Sequence, residues 1–562
     1  MDLRDESFYV LVPWRWALGD KPFVHEQNLA SLPGFVMYPF AKLFAVVRGY
    51  DVTGYVLYMR HVYLLMMIAV AVAVFLLLRR LVRWQLGALV AAVFVTLIFW
   101  ATPQLSYNTI AIAFLTLGAV LGAWVVVFDK GRWYALASGV AFGVAVAVFP
   151  SLLFIVPFYA FFLALARGHW SVAALAEGAI RQSPDPEGSP TGKAAWHALS
   201  AWVAGGVLVL VPLGLVMLSF GPRNIARSWQ YTMSGAAQLH QLGGASKALD
   251  VTQGFWRFLT WRPYLLVAAL VIYLVYRRWP RLGRALLAAL PVALWLAAQR
   301  PLLWASGSVQ TYALLAPYLY LFIPRDRREA GARLLLWIWA PAMIAGAMTS
   351  YTSAAGYVNA AVGFMPALVL SGLFLAWALD AVWEPAVPWL ALAALVAVLG
   401  VTVAFQFQFQ QRDAAYSQLT ARFASGPWWG IKVTPGRRSH MDAYAADLRS
   451  QTRPDDALFV FDEGSGYYLY WNGAIASNTY WGGVDPKTGQ LMQSTVSYYR
   501  RHRVVPSLIV HLIPTAGMTD AELQAASGGL DYPPTLVRPL YAFQRKPAGE
   551  TTAEVLARLP LR

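Results

Sequence analysis

The sequence predicts an α-helical polytopic membrane protein of about 12 spans, followed by a soluble α/β domain. Three observations carry this. Of 562 residues, 58% are hydrophobic and only 13% charged, against a charged share of about 25% in soluble domains. Residues 62–78, 109–128, 198–220 and 334–379 contain no Asp, Glu, Lys or Arg, and each run is long enough to cross a hydrocarbon core of about 30 Å. Beyond Gln406 the composition becomes mixed, with Asp413, Lys432, His440, Asp442, Asp455 and Asp456.

The net charge of +16 does not point to nucleic acid. Its Lys and Arg residues sit in short clusters between apolar runs, and no zinc-ligand spacing, Gly-rich phosphate loop or nucleic-acid signature accompanies them. The clusters are Arg79, Arg80 and Arg83; Lys130 and Arg132; Arg167, Arg181 and Lys193; Arg277, Arg278, Arg281 and Arg284; and Arg325, Arg327, Arg328 and Arg333. The loops between them, 102–108, 149–151 and 350–359, are free of Lys and Arg. Such an alternation marks the basic loops as cytoplasmic. Parity then places residues 1–59 and 406–562 outside, with residues 60–405 as the transmembrane domain. The chain has no cysteine, which excludes disulfides, thiolate catalysis and Cys-ligated metals. Its first residues are acidic and aromatic, unlike the basic-then-apolar start of a cleavable signal peptide.

In order along the chain, Asp5 and Glu6 stand ahead of an aromatic run with Phe8, Tyr9, Trp14 and Trp16, the pattern of an interfacial segment. Residues 32–47 are apolar but broken by Pro33, Gly34 and Pro39, again suited to the interface rather than to a span. The stretch 133–166 is split at Pro150, since proline interrupts helices and both flanks are basic. Two weaker apolar runs, 263–276 and 285–298, cross or re-enter as a pair. The outer loop 221–262 carries Arg223, Arg227, Lys247, Arg257 and Arg262. Positive charge on that face runs against the topological bias, and either a phosphate ligand or anionic headgroups account for it. Arg300 is a similar case at the end of a span. In the last domain, residues 457–461 read as a strand leading into a Gly-rich turn and a helix, and residues 504–513 as a second buried strand. Asp462 and Glu463 close the first strand and are more often turn residues than a site.

The stretch "RDESFYVLVPWRWALGDKPFVHEQN" resembles the first outer loop of the GT-C class of integral membrane glycosyltransferases, which includes protein O-mannosyltransferases and the lipid A aminoarabinose transferase. The resemblance rests on the acidic pair Asp5-Glu6, then Gly19, Pro22 and Phe23 in a Gly-x-x-Pro-Phe element, then an apolar segment. It implies a GT-C-like fold ending in an outer α/β domain. It also implies transfer of a hexosyl or pentosyl group from a polyprenyl-phosphate donor to a glycan, lipid or protein acceptor at the outer face of a bacterial plasma membrane. Two departures stand out. Family members carry a span ahead of the acidic pair, and here the sequence starts at the pair. His25 occupies a position where many members have an acid, with Glu26 next to it.

Glycosyl transfer from such a donor needs a base for the acceptor hydroxyl, and a carboxylate in a partly desolvated site has the raised proton affinity that suits it. Asp5 is assigned as that base and Glu6 as its neighbour. The departing phosphate can be met by arginine or by a divalent metal held on carboxylates. His25, Glu26, Arg223, Arg227, Arg257 and Arg300 are therefore candidate substrate ligands, and Asp5 and Glu6 candidate metal ligands. A lipid or sugar transporter and a non-catalytic membrane scaffold are the rival readings. The predicted spans carry almost no internal charge, whereas transporters usually do.

Overall fold

The computed structural model describes residues 3, 5–96, 103–128, 130–167, 191–240, 263–297, 312–353, 356–380, 414–461, 464–481, 490–512 and 532–559, with a few isolated positions between them. The protein is mostly helical, with a C-terminal α/β region. Among the described residues five helices are long and apolar enough to cross a membrane: Tyr55–Leu78, Tyr107–Phe128, Ala195–Ser219, Arg325–Thr352 and Gly356–Leu379. Shorter apolar helices are Gly34–Val47, Trp84–Thr96, Arg132–Val148 and Pro150–Ala164. The chain breaks at Pro150 as the sequence implied: one helix ends at Val148 and a 3₁₀ turn, Pro150–Ile155, follows.

Small residues let the helices approach closely, as membrane interfaces favour. A Cβ on Gly139 would fall 1.9 Å from the Trp202 carbonyl oxygen, and one on Gly205 2.1 Å from that of Leu136. The helices Arg132–Val148 and Thr191–Ser219 therefore cross nearly backbone to backbone. At one end of the bundle the basic loops meet. Arg327 donates to the Leu81 carbonyl at 3.3 Å and lies over the Trp377 ring, whose indole donates to the same carbonyl at 2.8 Å. The other end carries the opening helix and the α/β region.

That opening helix, Asp5–Leu18, departs from the interfacial reading. Every residue from Glu6 to Ala17 is buried in protein, because partners enclose it on several sides. Gly34 lets the Gly34–Val47 helix close on Trp16 and Val12. The Tyr55 hydroxyl donates to the Val10 carbonyl at 3.1 Å. On the side of the α/β region, the Gly466 amide donates to the Leu3 carbonyl at 2.9 Å, and Phe8 packs edge-on against Trp481 with ring centroids 4.7 Å apart.

The α/β region is built on a five-stranded sheet in the order Ala474–Ile475, Ala457–Phe461, Leu508–Leu512, Tyr541–Arg545, Pro534–Val537. The first three strands are parallel and the last two antiparallel to their neighbours. Both strands read from the sequence are there, side by side at the centre. Helix Gln490–His502 precedes strand Leu508–Leu512 and carries Arg500, Arg501 and His502 in its last turn, where the helix dipole favours positive charge.

Candidate active site

Asp5 and Glu6 occupy the first turn of the opening helix, where free backbone N–H groups favour negative charge. Their surroundings differ. Glu6 is buried, and Arg60 of the Tyr55–Leu78 helix grips both of its carboxylate oxygens, with Nε 2.6 Å from Oε1 and Nη2 2.9 Å from Oε2. Such a two-pronged pair fixes orientation as well as charge. Asp5 is only half-buried. Its charge bears on the Tyr107 hydroxyl, and the Tyr107 ring stands 5.8 Å from that of Tyr9 one turn along the opening helix. Of the acidic pair, Glu6 is bound to Arg60 and Asp5 stands near Tyr107 at the start of the Tyr107–Phe128 helix.

A bound divalent ion does not suit this arrangement. Both Glu6 oxygens are taken by Arg60, and among the described residues no group of three or more His, Asp or Glu converges.

The second locus lies past the other end of the helix. Gly19 adopts the left-handed conformation, φ +113°, which glycine takes without strain, and turns the chain back along the helix it has just left. Arg15 then reaches Asp20 with both Nε and Nη2, at 2.8 and 3.2 Å, and the Tyr480 hydroxyl donates to the same carboxylate. Phe23 is buried against Phe35 and Phe220. Glu26 is entirely buried. Its Oε1 accepts from the Asn28 amide at 2.8 Å, and its Oε2 from the Tyr480 amide at 2.6 Å. Burial pushes its carboxyl up to about 8, against the pull of those two N–H groups and the Thr479 hydroxyl. Glu26 thus pins the turn to the α/β region.

His25 is part-exposed; its Nδ1 accepts from the Lys21 amide at 2.9 Å, and burial pushes its ring pKa down. Arg227 sits on helix Pro222–His240, bonded to Asn224 at 3.3 Å. That helix is fastened to the turn where the Leu29 amide donates to Thr232 at 2.9 Å. Here the structure adds two groups that the sequence gave no reason to choose, Arg501 and His502. Burial lowers the pKa of His502, and the charges of Arg501, His25 and Arg227 lower it further; Arg227 likewise bears on Arg501. Four basic groups from three distant segments thus gather at one place. Arg223 is exposed one turn earlier on the Arg227 helix. Arg257 and Arg300 lie outside the described residues, as do Asp462 and Glu463.

Of the nominated residues, the structure brings Asp5 and Glu6 together at one locus and His25, Glu26 and Arg227 at another. A helix of 14 residues is about 20 Å long, so much of that length separates the loci. Sequence reasoning missed Arg60, although an arginine at the head of an apolar run is a signal in its own right. It also missed Tyr480 and Trp481, for which no local pattern exists.

No family model and no curated protein matches the chain. Among solved structures it is similar to the archaeal oligosaccharyltransferase AglB from Archaeoglobus fulgidus in complex with an inhibitory peptide and a dolichol-phosphate. That match has 13% identity and a TM-score of 0.48, covering 93% of this chain and 67% of the other. The same enzyme in complex with zinc and sulfate gives 12% identity and a TM-score of 0.47, covering 90% and 64%. The chain thus spans about two thirds of the oligosaccharyltransferase's length. It is also similar to ArnT from Cupriavidus metallidurans bound to undecaprenyl phosphate, at 13% identity and a TM-score of 0.38, covering 98% and 95%.

Two outcomes follow from the geometry. Arg60→Ala strands the buried Glu6 carboxylate and destabilises the protein by about 3 kcal/mol; Arg60→Met combined with Glu6→Gln recovers most of that, as thermal unfolding in detergent will read. For Glu26, a folded-state pKa of about 8 against an ordinary 4.5 means that the folded protein holds a proton the unfolded chain has lost. Its contribution is fully present below about pH 4.5 and is lost as pH rises towards 8. The melting temperature of wild type falls across that window, and Glu26→Gln flattens the fall.

Proposed function

We propose that the protein is a glycosyltransferase that moves a sugar from a polyprenyl-phosphate donor to an acceptor at the outer face of the plasma membrane, with Asp5 as general base. The observation that carries this is where the acidic pair stands: in the first turn of a buried helix whose start is bonded to both the apolar bundle and the α/β region. Arg60 immobilises Glu6, and Asp5, one residue earlier on the same fixed helix, stays half-buried at the junction of the membrane bundle and the α/β region. A carboxylate so placed is held in position by the buried helix that carries it.

In this reading the acceptor hydroxyl gives its proton to an Asp5 oxygen as its own oxygen attacks C1 of the sugar. The bond from C1 to the phosphate oxygen breaks, and the electron pair leaves with the polyprenyl phosphate. One carboxylate suffices, because no sugar–enzyme bond forms. Arg257 and Arg300 are the proposed partners of the charge on the departing phosphate. The group of His25, Arg227, Arg501 and His502 sits too far along the opening helix to touch the breaking bond. Its proposed role is to draw the phosphate-bearing lipid to this end of the protein before reaction, with the exposed Arg223 adding to the field.

The test is transfer from synthetic polyprenyl-phosphate sugars by membranes containing the chain. Asp5→Asn lowers kcat by about 10²-fold or more at unchanged protein level; full activity in that variant defeats the assignment. Arg227→Ala together with Arg501→Ala raises KM for the donor several-fold and leaves kcat near wild type. That rise shrinks as salt is added, because the attraction is long-range and screened.

A further inference from the structure

At the Asp5 end of the bundle, three connecting segments meet beside the opening helix. Direct contacts trace the path between them. The Tyr107 ring lies 5.8 Å from Tyr9 and 5.2 Å from Phe149. Two residues after Phe149, the Ser151 hydroxyl accepts from Thr352 at 2.9 Å, and Thr349 on the same helix donates to the Asn359 carbonyl at 3.1 Å. Gln104 stands just ahead of helix Tyr107–Phe128, and Asn359 just ahead of helix Ala360–Asp380. Those two helices pack against one another.

Gln104 and Asn359 are both fully buried, and neither has a hydrogen-bond partner on its side-chain nitrogen or its side-chain oxygen. They are the only two buried side-chain amides among the described residues with both ends unpartnered. Close by in sequence, the Ser350 hydroxyl and the Asn108 side-chain oxygen are also unpartnered. The backbones, by contrast, are tied down. The Gln104 carbonyl accepts from the Thr109 hydroxyl at 2.8 Å, and the Asn359 carbonyl from Thr349. The amides are therefore held in place by neighbours that do not satisfy them, a costly state for buried polar groups. A protein that keeps two such groups at the end of the bundle where its base sits has a use for them.

Their chemistry narrows that use. An anion would use only the N–H donors and leave the buried side-chain oxygens of both amides unpaired. Each offers a donor and an acceptor side by side, which matches adjacent hydroxyls that both donate and accept. We propose that Gln104 and Asn359 read the ring hydroxyls of the transferred sugar, with Ser350 and Asn108 beside them. The proposal rests on the glycosyltransferase reading above and adds to it the groups that select the sugar.

Gln104→Leu and Asn359→Leu, each close to its parent in size, test it through two readouts. The first is thermal unfolding without substrate. The second is kcat/KM for a polyprenyl-phosphate sugar relative to its deoxy analogues. If the amides await a sugar, the variants melt at or above the wild-type temperature. Their KM for the hydroxylated sugar rises roughly tenfold or more, and the wild-type preference over the matching deoxy analogue collapses towards one. If they serve the fold, for example through bridging waters, the variants melt several degrees lower or fail to fold, and in any that fold the preference persists. That result overturns the assignment while leaving the transferase reading intact. A wild type that transfers no sugar from any donor overturns both.

Discussion

The grip of Arg60 on Glu6 is the interaction on which the rest of the arrangement depends. It ties the first turn of a buried helix to the head of a long apolar one, and so sets where Asp5 can be. Burying two charges is expensive, and an ion pair of this kind often adds little net stability over a well-packed apolar pair. Its value lies in direction: a forked guanidinium on a carboxylate tolerates one geometry. Greasy side chains would hold the helix as firmly but would let it rotate, and rotation by one residue would exchange the places of Asp5 and Glu6.

The second fastening works by a different kind of bond. Glu26 takes backbone amides from its own turn and from the α/β region, and Asp20 is held by Arg15 from one side and Tyr480 from the other. These contacts lock the chain reversal at Gly19 onto Tyr480. Trp481, the next residue, lies against Phe8. The two loci are thus coupled through one dipeptide of the α/β region, even though the length of the opening helix keeps their chemistry apart.

The helical class was legible because hydrocarbon leaves an unambiguous mark: a run of apolar residues as long as the bilayer is thick. The strands at 457–461 and 508–512 were legible for a related reason, since parallel strands buried on both faces read as unbroken apolar runs. What the sequence concealed is whatever depends on partners far along the chain. The opening helix has the aromatic composition of an interfacial segment, and nothing local distinguishes lipid from protein as its surroundings. Glu26 looks like any loop acid until Tyr480 arrives to bury it. The basic group around His502 is scattered over three segments, each of which alone reads as an ordinary charged helix end or turn.

The contact between Glu26 and Tyr480 joins positions 454 residues apart. With a ribosome adding about 5–20 residues per second, tens of seconds separate the synthesis of the two. Through that interval the opening helix exists without the surface that will enclose it, its aromatic side chains open to lipid or to any chaperone at hand. Assembly of the junction is therefore a late event, completed only when the α/β region swings back onto a helix made long before it.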